Sequence, residues 1–152
     1  MFLSDSVFST VIDATPLVSL DLIVRNGAGQ ILLGERMNRP AQGYWFVPGG
    51  RIRKMESLSS AFERLTREEL GIGFALADAQ LLRPFDHFYS DSVFGESPST
   101  HYVAIAYELA VGDRLNDLQA LPQQQHGRYR WFSAAELLAD ARVHPHTKAY
   151  LG

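Results

Sequence analysis

Two glycines followed by a spaced run of carboxylates constrain this chain more than any other feature. Residues 48–72 read PGGRIRKMESLSSAFERLTREELGI. Gly50 is followed by five residues and then Glu56, by seven more and then Arg64, and the run closes with Glu68, Glu69 and Gly71. Pro48-Gly49-Gly50 stops the short strand WFV (45–47). The spacing beyond it predicts a helix over 57–70, with Ser57 as N-cap and Gly71 as C-terminal stop. Leu58, Ala61, Phe62 and Leu65 form its apolar stripe. Glycines let backbone approach a ligand or metal closely. Carboxylates such as Glu56, Glu63, Glu68 and Glu69 suit a hard divalent cation that prefers oxygen. Glu69 lies one turn after Leu65, so it points inward, where an acid needs a partner. Glu63 and Glu68 fit a solvated helix face.

The flanking segments supply a sheet. In PLVSLDLIV (16–24), Val18, Leu20, Leu22 and Val24 alternate with Ser19, Asp21 and Arg25, which predicts a half-buried strand. A turn at Asn26-Gly27 and Gly29 returns the chain through QILLGE (30–35) as a hairpin partner. RPAQGY (39–44) reads as loop. Residues 79–90 and 99–111 read as a longer hairpin, and YRWF (129–132) as a short strand. SAAELL (133–138) opens a second principal helix with a capping box from Ser133 to Glu136. HPHTKAYLG is a short terminal segment. Strands mixed with two principal helices predict an α/β fold in which helices pack on a mixed sheet.

Composition narrows the function. A chain of 152 residues with 46% hydrophobic residues forms one domain, residues 1–152, with a real core. The sequence has no cysteine, which excludes disulfides, thiolate zinc sites and a cysteine nucleophile. A net charge of −3 argues against a nucleic-acid partner. No run approaches membrane-span length, and MFLSDSVFST carries acid rather than a positive head, so a cytoplasmic protein without a membrane partner is expected. Arg36, Arg39, Arg51, Arg53 and Lys54 fall in a stretch without any acid. It is either a solvated basic loop or a local anion site.

The spacing over residues 50–72 resembles the signature of the Nudix hydrolases. Further segments, LLGERMNRPAQGYWFVPGGR, HFYSDSVFGESPSTHYV and QQHGRYRWF, resemble the GDP-mannose mannosyl hydrolases within that family. The family's box normally carries glutamate after the arginine; here Leu65 stands there, as it does not in the standard box but is consistent with this subfamily. The register is least secure over 112–125. The resemblance implies a Nudix-type α/β/α sandwich, a mixed β-sheet with helices on both faces. It implies one Mg2+ per subunit, replaceable by Mn2+, held by the Gly49 carbonyl, Glu69 and Gln125, with Glu68 as an extra ligand left open. Arg36 and Arg51 would clamp the pyrophosphate of a nucleotide sugar, and His126 would be the general base. Phe2, Leu3 and Phe8 would contact guanine, and the N-terminus would be shared across a homodimer; ordinary packing of a terminal arm explains Phe2 and Phe8 almost as well. His87 and Tyr102 would line the site. Asp21 either orients Arg36 or a sugar hydroxyl, or forms a plain salt bridge. The pair in HPH, His144 and His146, lacks a third ligand and is expected at the surface.

The implied reaction is hydrolysis of GDP-mannose, and GDP-glucose, to GDP and free sugar. Water attacking the anomeric carbon needs one base on the opposite face, because a diphosphate is already a good leaving group that a metal and two arginines stabilise. An ordinary glycosidase needs a second carboxylate to protonate a poor one. Two other classes remain. One is a pyrophosphohydrolase attacking phosphorus, releasing GMP and sugar 1-phosphate. The other is a binding module without turnover.

Overall fold

The computed structural model describes residues 2–122 and 127–152, together with the backbone of His126. Its centre is strand β1, Leu17–Asn26, which runs parallel to β6, Thr100–Gly112, from Leu17↔Tyr102 onward. β5, Gln80–Tyr89, pairs antiparallel with β6 and closes one side. On the other side lie β2, Ile31–Arg36, and β3, Trp45–Phe46. The path is β3-β2-β1-β6-β5; β4, Gly49–Arg51, adds to β1, and β7, His126–Phe132, adds to β2.

β1 changes partners along its length, and this positions the site. Near its end it meets β2 at Arg25↔Ile31. Near its start it meets β4, with Ser19↔Arg51, Leu20↔Gly50 and Asp21↔Gly49. The Leu22 amide also donates to the Pro48 carbonyl at 2.8 Å. The chain after Phe46 therefore crosses onto β1 and carries its glycines to the middle of the sheet. The expected stop at Pro48-Gly49-Gly50 holds, since β3 ends at Phe46; Gly49 then starts a new strand, because those glycine backbones find ladder partners in β1.

Helices α1 (Asp5–Ala14), α2 (Leu58–Leu70), α3 (Ala134–Ala139) and α4 (Pro145–Lys148) complete the fold. On one face of the sheet, Leu20, Leu22, Val24 and Leu32 pack with Ala61, Phe62, Leu65 and Leu70 of α2. On the other, Ile23, Ile31 and Leu33 pack with Trp45, Phe132, Leu137 of α3, Val143 and Tyr150. Helical segments thus cover both faces, as expected. Burying a ring such as that of Phe62 stabilises the fold by ~2–3 kcal/mol.

α2 follows its sequence signals. The Ser57 side chain accepts from the Ser60 amide, and Gly71 closes the helix in the left-handed region at φ 78°. Leu58 departs from the expected apolar stripe and is exposed, because it sits in the first turn beyond the edge of the sheet's apolar cluster. β1 departs too. Residues 19–24 are all buried, Ser19 and Asp21 included, while Val18 is exposed. A strand paired in parallel and covered on both faces has no solvent side for polar residues to occupy. α1 was not signalled by the sequence, since Ile12 alone of its residues is fully buried. Ser4 caps it by accepting from the Val7 amide. None of the described helices is long and apolar enough to cross a membrane.

Candidate active site

β1, β2, β4, β5, β6 and α1 together line a cleft of about 300 Å3. β1 supplies Ser19 and Asp21, β2 Arg36, and β4 the backbone of Gly49 and Gly50 with Arg51. β5 and β6 contribute His87, Tyr89 and Tyr102, and α1 contributes Phe8. Seven sequence candidates, Asp21, Arg36, Gly49, Arg51, His87, Tyr102 and Phe8, are therefore brought together. Phe2 and Leu3 do not line the cleft: Phe2 is 87% exposed and lies against the Arg53 guanidinium, 5.1 Å from its ring centre. Both precede α1, which reaches the cleft through Phe8 and Ile12. Gln125 and the His126 side chain fall outside the described residues. The His126 backbone begins β7 opposite Arg36.

Glu69 is 5% exposed, and its carboxylate accepts from the Gly49 amide. Burial pushes its pKa up to about 7, and Glu68 adds to this, while attraction to Arg36 opposes it. Position 49 has to be glycine, since a Cβ there would collide with the Leu20 carbonyl oxygen. A desolvated carboxylate beside close-packed backbone is the donor chemistry that a hard cation stabilises. No three His, Cys, Asp or Glu side chains converge on a metal-holding group among the described residues, so any such site must also draw on other oxygen donors.

Glu56 is not such a donor. Its two oxygens are held by Arg64, Nε at 2.6 Å and a terminal nitrogen at 2.9 Å, and the Arg53 amide adds a third bond at 3.0 Å. Arg64 holds the Glu56 carboxyl down at about 2. Arg64 also donates to the Arg51 carbonyl at 3.0 Å and to Glu68 at 3.1 Å. The Glu56 to Arg64 spacing is thus a clip that ties the basic loop to α2. Glu68 is half-exposed and stands within 4.0 Å of Arg53. Glu63 pairs with Arg67 on the solvated face.

Leu65 sits 3% exposed under the glycine loop, its Cδ2 2.6 Å from where a Gly50 Cβ would stand. Arg36 donates from Nε to the Pro40 carbonyl at 2.9 Å, which ties its guanidinium to the 39–44 loop at the cleft wall. The Arg51 guanidinium stacks on Phe8 at 4.8 Å. Phe8 in turn meets Phe94 edge-on at 6.0 Å, so α1 is anchored at the cleft rim.

Deeper in the cleft, Asp21 is buried and accepts a short hydrogen bond from the Tyr150 hydroxyl. The Ser19 hydroxyl donates to its other oxygen at 3.4 Å. Burial pushes the Asp21 carboxyl up to about 6, against the pull of Tyr150, Ser19 and Arg36. Burial likewise depresses His87 to about 3, helped by His146 and His144, so its ring is neutral near pH 7. Tyr102 is raised, again by burial first. His144 and His146 are half-buried rather than at the surface. His146 stacks flat on His87 at 4.3 Å, because α4 packs its N-terminus against β5. Tyr150 and Tyr89 had no signal in the sequence; their positions follow from where the C-terminal turn packs against the sheet beside β5.

A crossing of glycine backbone over a sheet, a carboxylate-bearing helix beneath it and a two-arginine cleft are the arrangement of a Nudix hydrolase, and residues 15–151 match the NUDIX domain. The chain belongs to the Nudix family, whose hydrolases generally use a divalent metal such as Mg2+. It is 35% identical over 147 residues to the low-salt glycan biosynthesis protein Agl8 of Haloferax volcanii, spanning 97% of this chain and 87% of that one. Among solved structures, a MutT protein from Methanosarcina mazei Go1 superposes with a TM-score of 0.71 at 22% identity, covering 90% of this chain and 91% of that one. The NUDIX domain of Shewanella oneidensis NrtR, solved with ADP ribose, does so with a TM-score of 0.63 at 18% identity, covering 98% and 97%.

Proposed function

We propose that this chain, acting as a single hydrolase unit, cleaves GDP-mannose, and GDP-glucose, to GDP and free sugar. Water attacks the anomeric carbon and inverts it. The observation that carries this reading is Leu65, an apolar side chain packed against Gly50 where the family's box holds a glutamate. Attack at phosphorus relies on a metal and carboxylates to activate water beside an anionic phosphoryl group. Removing a carboxylate from under the phosphate loop fits attack at carbon instead, where GDP leaves readily. The glycan-biosynthesis relative supports a substrate from sugar-nucleotide metabolism.

Glu69, the Gly49 carbonyl and Gln125 would hold one Mg2+, which supplies charge to the departing diphosphate. Arg36 and Arg51, both facing the cleft, present planar forks suited to phosphate oxygens. His126 takes the proton from water, and Asp21 orients Arg36 or a sugar hydroxyl. Phe8 at the cleft rim offers a ring for the base; Phe2 and Leu3 reach a base only in a homodimer that places them on the partner's cleft. The site works on a small-molecule nucleotide sugar in the cytoplasm.

Hydrolysis of GDP-mannose in heavy-oxygen water tests the reading. Label should appear in mannose and not in GDP by mass spectrometry, with β-mannose formed first by NMR. Label in a phosphate, with GMP as product, would replace this reading with the pyrophosphohydrolase; no turnover with Mg2+ or Mn2+ would leave a binding module.

A further inference from the structure

The C-terminal turn reaches the cleft through one hydroxyl. Residues Ala149–Leu151 form a short 3-10 turn after α4, and Tyr150 is buried beneath β1 and β5. Its ring meets Phe85 edge-on at 4.8 Å, and its hydroxyl donates to Oδ2 of Asp21. His87 Nε2 lies 3.3 Å from the same hydroxyl. Tyr150 itself does not line the cleft, whereas Asp21 and His87 both do. We propose that Tyr150 is a positioning residue that fixes the Asp21 carboxylate, and through it the polar wall of the cleft, from the C-terminal turn packed on the same face of the sheet.

The proton count supports this assignment. A phenol has one hydrogen; given to Oδ2, it leaves the oxygen able only to accept, so His87 must present Nε2–H toward it. The single hydroxyl thereby sets both a carboxylate rotamer and an imidazole tautomer. With Oδ2 occupied and Oδ1 within 3.4 Å of the Ser19 hydroxyl, the carboxylate plane has little freedom to turn. Asp21 is then presented in one orientation to Arg36 and to whatever hydroxyl enters beside it. Sequence pattern carries no trace of the link, since 129 positions separate Asp21 from Tyr150.

This inference rests on the proposed hydrolase reading, in which Asp21 orients Arg36 or the sugar. A double-mutant cycle on turnover of GDP-mannose tests it, with Tyr150→Phe, Asp21→Asn and the pair, each checked for folding by thermal unfolding. Phenylalanine retains the ring against Phe85 and removes only the hydroxyl. Tyr150→Phe should lower kcat by roughly tenfold, the scale of a lost hydrogen bond to a charged group. In the Asp21→Asn background the same change should cost less than about twofold, because a residue acting through Asp21 has nothing left to position. Equal losses in both backgrounds would overturn the proposal and leave Tyr150 a packing residue. A silent Asp21→Asn would overturn it as well, along with the role given to Asp21. A wild type that fails to release GDP would instead sink the hydrolase reading; the same cycle read on GDP-mannose binding by calorimetry then decides Tyr150.

Discussion

Replacing Glu56 with glutamine should expose how much the Glu56–Arg64 clip contributes. Its carboxylate is only 15% exposed and accepts from both Arg64 nitrogens and the Arg53 amide. A drop in pKa from 4.5 to about 2 on folding corresponds to roughly 3 kcal/mol of stability. Glutamine keeps one carbonyl acceptor but loses the charge, so Glu56→Gln should cost about 2 kcal/mol near pH 7. The sign with pH follows from the depressed pKa. The contribution is complete above about pH 4.5, where the unfolded carboxyl is ionised, and is lost as pH falls through about 2. Wild type and variant should therefore differ by a constant amount at neutral pH and converge in acid. Equilibrium urea unfolding, followed by fluorescence of buried Trp45, measures both curves. A gap under about 0.5 kcal/mol near pH 7, the level of an exposed pair, would refute the reasoning. So would a gap that stays constant down to about pH 2.5, below the unfolded pKa.

Three further outcomes follow from the glycine loop and the helix beneath it. Gly50→Ala places a methyl 2.6 Å from Leu65 Cδ2 and should cost about 1–3 kcal/mol by overpacking, which Leu65→Ala should largely relieve. Gly49→Ala meets the Leu20 carbonyl oxygen instead, and no side-chain trimming should rescue it in thermal unfolding. Glu69→Gln should weaken Mg2+ binding in calorimetric titration by more than about tenfold, whereas Glu68→Gln, whose partner is Arg64, should change it by less than about threefold. Equal, mild effects would show that Glu69 is not the metal ligand.

Local rules were enough for the helix of residues 58–70, its two caps and the inward turn of Glu69, because each depends on residues within a turn or two of chain. The Ser133 to Glu136 capping box and the β5–β6 hairpin were legible for the same reason. The resemblance along the wider chain picked out Arg36, Gly49, Arg51, Asp21, His87 and Tyr102, and they do line one cleft. Local pattern misled at β1, where alternation marked Ser19 and Asp21 as solvent-facing. Whether a strand's polar face meets water depends on what packs over it, and here the C-terminal turn does. The assignment of Glu56 to Arg64 rather than to a cation was equally out of reach, because it depends on how the loop folds back over α2. Sequence pattern was enough to nominate the candidate site residues and the helix that carries the carboxylates. Only tertiary structure decided which acids are buried, which are spent on salt bridges, and that Tyr150 reaches Asp21 from 129 positions away. Burial and long-range hydrogen bonds belong to the packed sheet and not to any segment of it.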